Sequence, residues 1–89
     1  MDLSKIREKI DELDDAITAL LLKRMALAAE VAAYKQAHSL PVLQSGREAQ
    51  VLEKRAAAAG DQAPFVTPVF EEIMKQSRLY QQQRLGGKS

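Results

Sequence analysis

The chain contains no cysteine, which excludes a disulfide, a catalytic thiolate and a zinc–thiolate site. Its one histidine, His38, cannot by itself form a multi-histidine metal site or a Ser-His-Asp arrangement, so we expect no metal. Glycine is scarce, and the adjacent pair Gly86-Gly87 follows a predicted helix instead of preceding one. This position argues against a glycine-rich phosphate loop.

An excess of charge and long apolar runs are also missing. Thirteen basic and twelve acidic residues nearly cancel, which gives no general attraction to nucleic acid or to an anionic membrane. No apolar run approaches the length that spans a membrane, and the amino terminus is polar and charged from Asp2 to Lys9. These features predict a soluble, cytoplasmic protein without a signal peptide.

What remains is a helix-forming sequence. With 46% hydrophobic residues but only three prolines and four glycines, it is typical of one folded, all-α domain spanning residues 1–89. The first predicted helix begins near Asp2 or Ser4, both suitable N-caps. It runs until Leu40-Pro41, because the residue before a proline is disfavoured in the helical conformation.

Two shorter helices complete a predicted three-helix protomer. The second opens at Ser45, with Glu48 completing a capping box, and it ends at Gly60. The third begins between Pro64 and Pro68, since proline is tolerated near a helix start, and it ends at the glycine pair.

The first helix is too long for the rest of the chain to cover. At ~1.5 Å per residue it spans roughly 50 Å, more than the diameter of a small domain. Apolar residues recur along it with heptad spacing at Leu3, Ile6, Ile10, Leu13, Ile17, Leu20, Leu27 and Val31. A second copy of the protein is the economical cover for this stripe.

Arg24 interrupts the apolar stripe of the first helix. Burying an unpaired guanidinium costs several kcal/mol or more, in order of magnitude, so this residue is either paired internally or positioned to bind an anion. The alternative is a polar residue that specifies the register of a coiled coil, without any ligand. Its position alone does not decide between the two.

The third helix has a similar interruption. Its apolar stripe ends at Ile73, and the next two positions on that face are Ser77 and Gln81. Alone, such a serine usually bonds back to a carbonyl and such a glutamine usually points to water. Together with Arg24, they indicate a face that holds an anion and donates hydrogen bonds.

Further charged candidates lie on the first two helices. Lys35 lies eleven residues beyond Arg24 at nearly the same azimuth, so the two cations could grip opposite ends of a small molecule. Arg47 and Glu48, in the first turn of the second helix, would lie beside Lys35. The alternatives are a surface lysine near a helix end and a purely structural capping glutamate.

Arg7 cannot join this group within one chain. It precedes Arg24 by seventeen residues, which is ~25 Å along a straight helix, so only a neighbouring chain could deliver it. The resulting set contains several cations, one carboxylate, a serine and a glutamine but no obvious nucleophile. Such a set suits reactions driven by conformational restraint and electrostatics.

In type, order and spacing these residues resemble the active-site pattern of the all-helical chorismate mutases. The resemblance covers essentially the whole chain and includes Arg7, Leu13-Asp14, Arg24, Lys35, Arg47-Glu48, Ser77 and Gln81. It implies an intertwined homodimer whose long first helices cross between subunits. Each site would then borrow Arg7 from the neighbouring subunit.

The resemblance also implies the reaction, which is the Claisen rearrangement of chorismate to prephenate in phenylalanine and tyrosine biosynthesis, without a cofactor. Arg24 and the neighbouring subunit's Arg7 would bind the carboxylates of the substrate, and Arg47 and Ser77 would support its anionic end. Gln44 stands where a family member has an aspartate near the ring hydroxyl, and a glutamine can still bond a hydroxyl.

The groups nearest the reacting bond would be Lys35 and Gln81, which by resemblance flank the ether oxygen. Glu48 would accept from the ring hydroxyl while bonding Lys35. Two alternatives stay open, an isochorismate-pyruvate lyase with a similar cationic pocket and a non-catalytic helical dimerisation or regulatory module. The second does not explain polar residues such as Ser77 in the apolar stripe.

Overall fold

The computed structural model describes residues 2–86 and is all-α. Helix α1 spans Leu3–Ala37, α2 spans Ser45–Ala59, and α3 spans Ala63–Gly86, with a 3₁₀ turn at Gly60–Gln62 leading into α3. No strand occurs in this part of the chain, so the predicted fold class is confirmed. The predicted end of α3 at the glycine pair reaches Gly86, while Gly87 lies outside the described residues.

The amino-terminal end of α1 is capped as predicted. The backbone of Asp2 is extended, and its carboxylate Oδ1 accepts from the Ser4 amide at 3.0 Å. This bond satisfies one of the N–H groups that have no partner within a helix.

The other end of α1 lies earlier than predicted. The helix stops at Ala37, before Leu40-Pro41, because Ser39 adopts a left-handed conformation with φ of 56°. The Leu40 amide then donates to the Lys35 carbonyl at 2.8 Å, which closes the helix in a Schellman motif. The chain therefore turns away from α1 before the restriction imposed by the proline applies.

The predicted capping box of α2 is wrong. Ser45 is the first helical residue, and the N-cap is Gln44, whose side chain makes no capping bond. The Gln44 amide instead donates to the Pro41 carbonyl at 2.9 Å, and the carboxylate of Glu48 binds Arg78. At the other end, α2 terminates as predicted at Gly60, whose φ of 58° favours glycine.

Helix α3 begins slightly before the predicted range. It starts at Ala63 because the preceding 3₁₀ turn continues directly into it. Pro64 occupies the second helical position, where a missing N–H costs nothing. Pro68 lies inside the helix, in its second turn, where it cannot donate to the Pro64 carbonyl.

Helix α3 packs against both other helices, whereas α1 and α2 do not pack against each other over residues 2–86. The core is small, and its buried apolar residues are Ala28, Ala32 and Met74. The two alanines lie on one face of α1, where small side chains let α3 approach closely. A space is thus left between α1 and α2, with α3 along one side.

The first half of α1 has no cover within the chain. Its heptad residues from Leu3 to Leu20 are between 36% and 63% exposed, and no residue from 2 to 20 is buried. The 55 Å long axis of the molecule follows from this protruding helix. None of the described helices is both long enough and apolar enough to cross a membrane.

Candidate active site

The space between α1 and α2 is a cavity of about 340 Å³. This volume lies within the range of small-molecule sites. Seven of the eight predicted site residues line it, namely Arg24, Lys35, Gln44, Arg47, Glu48, Ser77 and Gln81. The exception is Arg7, which lies far along the exposed half of α1.

Lys35 is the central cation of the cavity. It follows Ala28 and Ala32 on the same face of α1, and it is only 8% exposed. Its ammonium donates to the Val42 carbonyl at 2.6 Å and to the Gln81 side-chain oxygen Oε1 at 2.9 Å. An ammonium has three N–H groups, so one remains that neither of these two contacts uses.

Burial lowers the pKa of Lys35 below its ordinary value of 10.5, because the charged form is poorly solvated. The negative charge of Glu48 acts in the opposite direction and raises the pKa, with a smaller effect. Lys35 is therefore a cation that the site holds at an energetic cost, as expected of a group whose charge is used on a ligand.

Gln81 has a fixed amide orientation. Because a lysine can only donate, the atom that accepts from Lys35 must be the amide oxygen, and the amide nitrogen Nε2 donates to the Ser77 hydroxyl at 3.2 Å. The side chain is 6% exposed. One of its two N–H groups is used by neither contact, so a buried neutral donor lies beside a buried cationic donor.

Glu48 binds a residue that no sequence pattern singled out. Its carboxylate accepts from the guanidinium of Arg78, in the one ion pair recorded among residues 2–86. The expected hydrogen bond between Glu48 and Lys35 is not formed, and the Lys35 ammonium bonds Val42 and Gln81. Arg78 also lines the cavity, and its place directly after Ser77 was the available signal.

Arg24 is half-buried and takes no part in that ion pair. Its guanidinium is thus one of the cations of the cavity that no carboxylate of residues 2–86 neutralises. Arg47 is exposed at the start of α2, and its guanidinium donates to the Gln50 side-chain oxygen at 3.5 Å. Cavity-lining charges sum to plus three, from four cations and one carboxylate, which suits a ligand with more than one negative charge.

A second, mainly apolar groove of about 540 Å³ adjoins the cavity. It lies between α1 and α3, and its apolar walls come from Leu21, Met25, Pro68, Val69 and Ile73. Arg24 and Ser77 line both the groove and the cavity. A helix seated in the groove would therefore lie directly beside the cationic site.

A sequence profile of the family described as chorismate mutase type II matches residues 6–82. The chain therefore belongs to the chorismate mutase type II family, which confirms the resemblance noted in the sequence. The match includes all of α2, most of α1 and α3, and every cavity-lining residue.

Two curated relatives are much longer than this chain. The chain is 35% identical over 79 residues to a T-protein of Enterobacter agglomerans, covering 85% of this chain and 21% of the relative. It is 37% identical over 83 residues to a bifunctional chorismate mutase/prephenate dehydratase of Escherichia coli (strain K12), covering 90% of this chain and 22% of the relative. The chain thus spans about a fifth of the length of these two relatives.

A third relative is closer in size. The chain is 32% identical over 76 residues to a 4-amino-4-deoxychorismate mutase of Streptomyces venezuelae, covering 82% of this chain and 74% of the relative. No solved structure matches the chain at a comparable level of significance.

Proposed function

We propose that the chain catalyses the rearrangement of chorismate to prephenate, as the mutase activity of phenylalanine and tyrosine biosynthesis. The observation that carries this proposal is the contact between Lys35 and Gln81 at 2.9 Å in a cationic cavity. Lys35 donates to Val42 and Gln81 and keeps one further N–H, and Gln81 donates to Ser77 and also keeps one further N–H. Two such donors can stabilise negative charge developing on one ether oxygen.

The remaining cavity residues suit the substrate. Chorismate carries two carboxylates, and Arg24 and Arg47 supply cations that no carboxylate pairs with among residues 2–86. The enolpyruvyl side chain must fold over the ring before one C–O bond breaks as a C–C bond forms. Holding both carboxylates restrains the substrate in that conformation. The substrate then loses conformational entropy on binding and not in the chemical step, which lowers the barrier. Even modest enzymatic acceleration requires about 8 kcal/mol from such contacts.

Neither a cofactor nor a metal enters this reaction. The rearrangement is intramolecular, so no atom is added or removed and no proton has to be transferred. Glu48 would accept a hydrogen bond from the ring hydroxyl, with Gln44 nearby in the same cavity. Ser77 would support the anionic end of the substrate while it accepts from Gln81.

The active form would be a homodimer with shared sites. The exposed apolar stripe of α1 supports this proposal, since fully burying one such side chain contributes about 1.5–3 kcal/mol. The groove beside Arg24 provides a place for the first helix of a second copy. Arg7 of that copy would then reach the cationic site, which it cannot do within one chain because it lies ~25 Å from Arg24 along α1.

Residues 1–89 would act as one mutase domain in the cytoplasm. The substrate comparison that tests the proposal uses chorismate, isochorismate and 4-amino-4-deoxychorismate in separate incubations, with the products identified by NMR. We expect prephenate from chorismate as the fastest reaction. Pyruvate release from isochorismate as the dominant reaction would instead identify a lyase, and faster turnover of the amino compound would identify a mutase of that substrate. No reaction with any of the three would leave a non-catalytic module.

A further inference from the structure

Arg78 is a charged residue of the cavity to which the proposed function gives no role. It lines the cavity from α3, and its side chain is 30% exposed. Its partner Glu48, 23% exposed, belongs to α2, so the ion pair joins two helices across thirty residues of sequence. A guanidinium holds a carboxylate in a more defined orientation than an ammonium does, because its N–H groups form a rigid fork.

Two cations act on the Glu48 carboxylate. Arg78 holds it by an ion pair, and Lys35 is close enough for the carboxylate to influence its charge. The Lys35 ammonium nevertheless donates to Val42 and Gln81 and makes no hydrogen bond to Glu48. Among the polar groups of the cavity, Glu48 and Arg78 thus form one pair, and Lys35, Gln81 and Ser77 form a separate hydrogen-bonded chain.

We propose that Arg78 is a positioning residue. By holding Glu48 in the ion pair, it keeps this carboxylate from pairing directly with Lys35, and the Lys35 ammonium stays directed at Gln81. The consequence for turnover rests on the proposed function, because it requires Lys35 and Gln81 to act on the substrate. The positioning itself is a property of the protein without substrate.

The charged groups that line the cavity with Lys35 are Arg24 from α1, Arg47 and Glu48 from α2, and Arg78 from α3. When Arg78 is replaced by an uncharged residue, Glu48 loses its guanidinium, and Lys35 is the cation that already interacts with it. The carboxylate should then move toward the ammonium. This change raises the pKa of Lys35, because a closer opposite charge favours the charged form.

The first test follows Lys35 directly, by NMR titration of the protein with ¹³C-labelled lysine, in which Lys35→Met assigns the signal. We expect Lys35 to titrate at higher pH in Arg78→Met than in the parent and at lower pH in Glu48→Gln. In the double variant the effect of Arg78→Met should largely disappear. Arg84→Met is the matched control, since Arg84 lies on the same helix, exposed over the Tyr80 ring, and should leave the titration unchanged.

The second test measures kcat and KM with chorismate. We expect Arg78→Met to lower kcat about tenfold with a smaller change in KM, which lies within the usual coupling between contacting residues. Arg78→Lys keeps a cation beside Glu48 and should restore part of kcat. In the Glu48→Gln background, replacing Arg78 should change kcat less than twofold.

An unchanged Lys35 titration in folded Arg78→Met would overturn the proposal. A rise in KM that is equally large with and without Glu48 would also overturn it, since Arg78 would then bind substrate directly. If Arg78→Met does not fold, Glu48→Gln provides the test. A Lys35 titration that is identical in Glu48→Gln and in the parent would then overturn the proposal. The NMR titration tests the positioning role of Arg78 without any turnover. The proposed function is tested separately, by the activity of the parent, so the failure of one proposal can be told from the failure of the other.

Discussion

The Lys35 ammonium donates to the Gln81 side-chain oxygen at 2.9 Å, which joins α1 to α3 inside the cationic cavity. This contact fixes the orientation of the Gln81 amide and leaves its nitrogen as a donor. The two residues are 46 positions apart in sequence, so the site depends on the packing of α3 against α1.

The first prediction concerns the charge of Lys35. Because burial lowers the pKa of Lys35, kcat/KM should fall on the alkaline side at a pH below 10.5. The contribution of Lys35 to the free energy of unfolding should instead rise over the same pH range. Between the folded pKa and 10.5 the unfolded chain binds more protons, so the contribution of Lys35 to the free energy of unfolding rises with pH. Kinetics and chemical denaturation measured at the same pH values check both signs, and an alkaline decline that coincides with unfolding contradicts this prediction.

The second prediction concerns Gln81 as a neutral donor. An amide donates at any ordinary pH, whereas a carboxyl group of similar size donates only when protonated. Gln81→Glu should therefore be poor at neutral pH and recover as the medium is acidified, whereas Gln81→Ala should be poor throughout. The measurement is kcat/KM against pH for the three proteins, with folding checked at each pH. A Gln81→Glu profile that matches the parent would exclude donation to the reacting oxygen.

The third prediction separates stability from function at Arg24. Arg24→Leu completes the apolar stripe of α1 and removes a cation that takes no part in the ion pair between Glu48 and Arg78. The melting temperature should hold or rise, whereas kcat/KM should fall roughly a hundredfold or more, since a buried charge pair with a ligand contributes about 2–5 kcal/mol. Thermal unfolding and steady-state kinetics measure the two effects. A marked loss of stability would show that Arg24 is a structural residue of the helix seam.

The fourth prediction concerns the shared site. Arg7→Ala and Arg24→Ala should each be nearly inactive, but a refolded equal mixture should regain about a quarter of the parent activity. Half of the dimers are then heterodimers, and each of these has one intact site and one site that lacks both arginines. Each variant refolded alone is the control. No recovery despite demonstrated subunit exchange would refute the borrowed arginine.

Much of the fold followed from periodicity and from residues that favour helix ends. The heptad stripe of α1, the Asp2 cap and the glycine at the end of α2 are local signals, and the structure contains them all. The end of α1 was misplaced because Ser39 adopts a left-handed conformation, which a serine does not indicate in sequence. The start of α3 was misplaced because a 3₁₀ turn leads into it.

Most residues of the candidate site were predictable, with Arg78 as the exception, but their pairings were not. Spacing placed Arg24 and Lys35 on one face of α1, and the interruption in α3 identified Ser77 and Gln81. The partner of Glu48 was missed because a capping box is a local pattern, whereas its actual ion pair joins two helices that are distant in sequence. Such a choice between partners is made by tertiary packing, which spacing within one helix does not show.

The most direct test of the account is the rate of prephenate formation in Lys35→Met, compared with the parent and with Lys54→Met. Lys54 is exposed on α2 and does not line the cavity, so its replacement controls for the loss of one lysine charge. Removing a donor to a developing negative charge costs roughly a hundredfold to a thousandfold in kcat. We predict a loss of that size in Lys35→Met with the fold retained, and near-parent activity in Lys54→Met. If Lys35→Met forms prephenate as fast as the parent does, this cavity is not the active site.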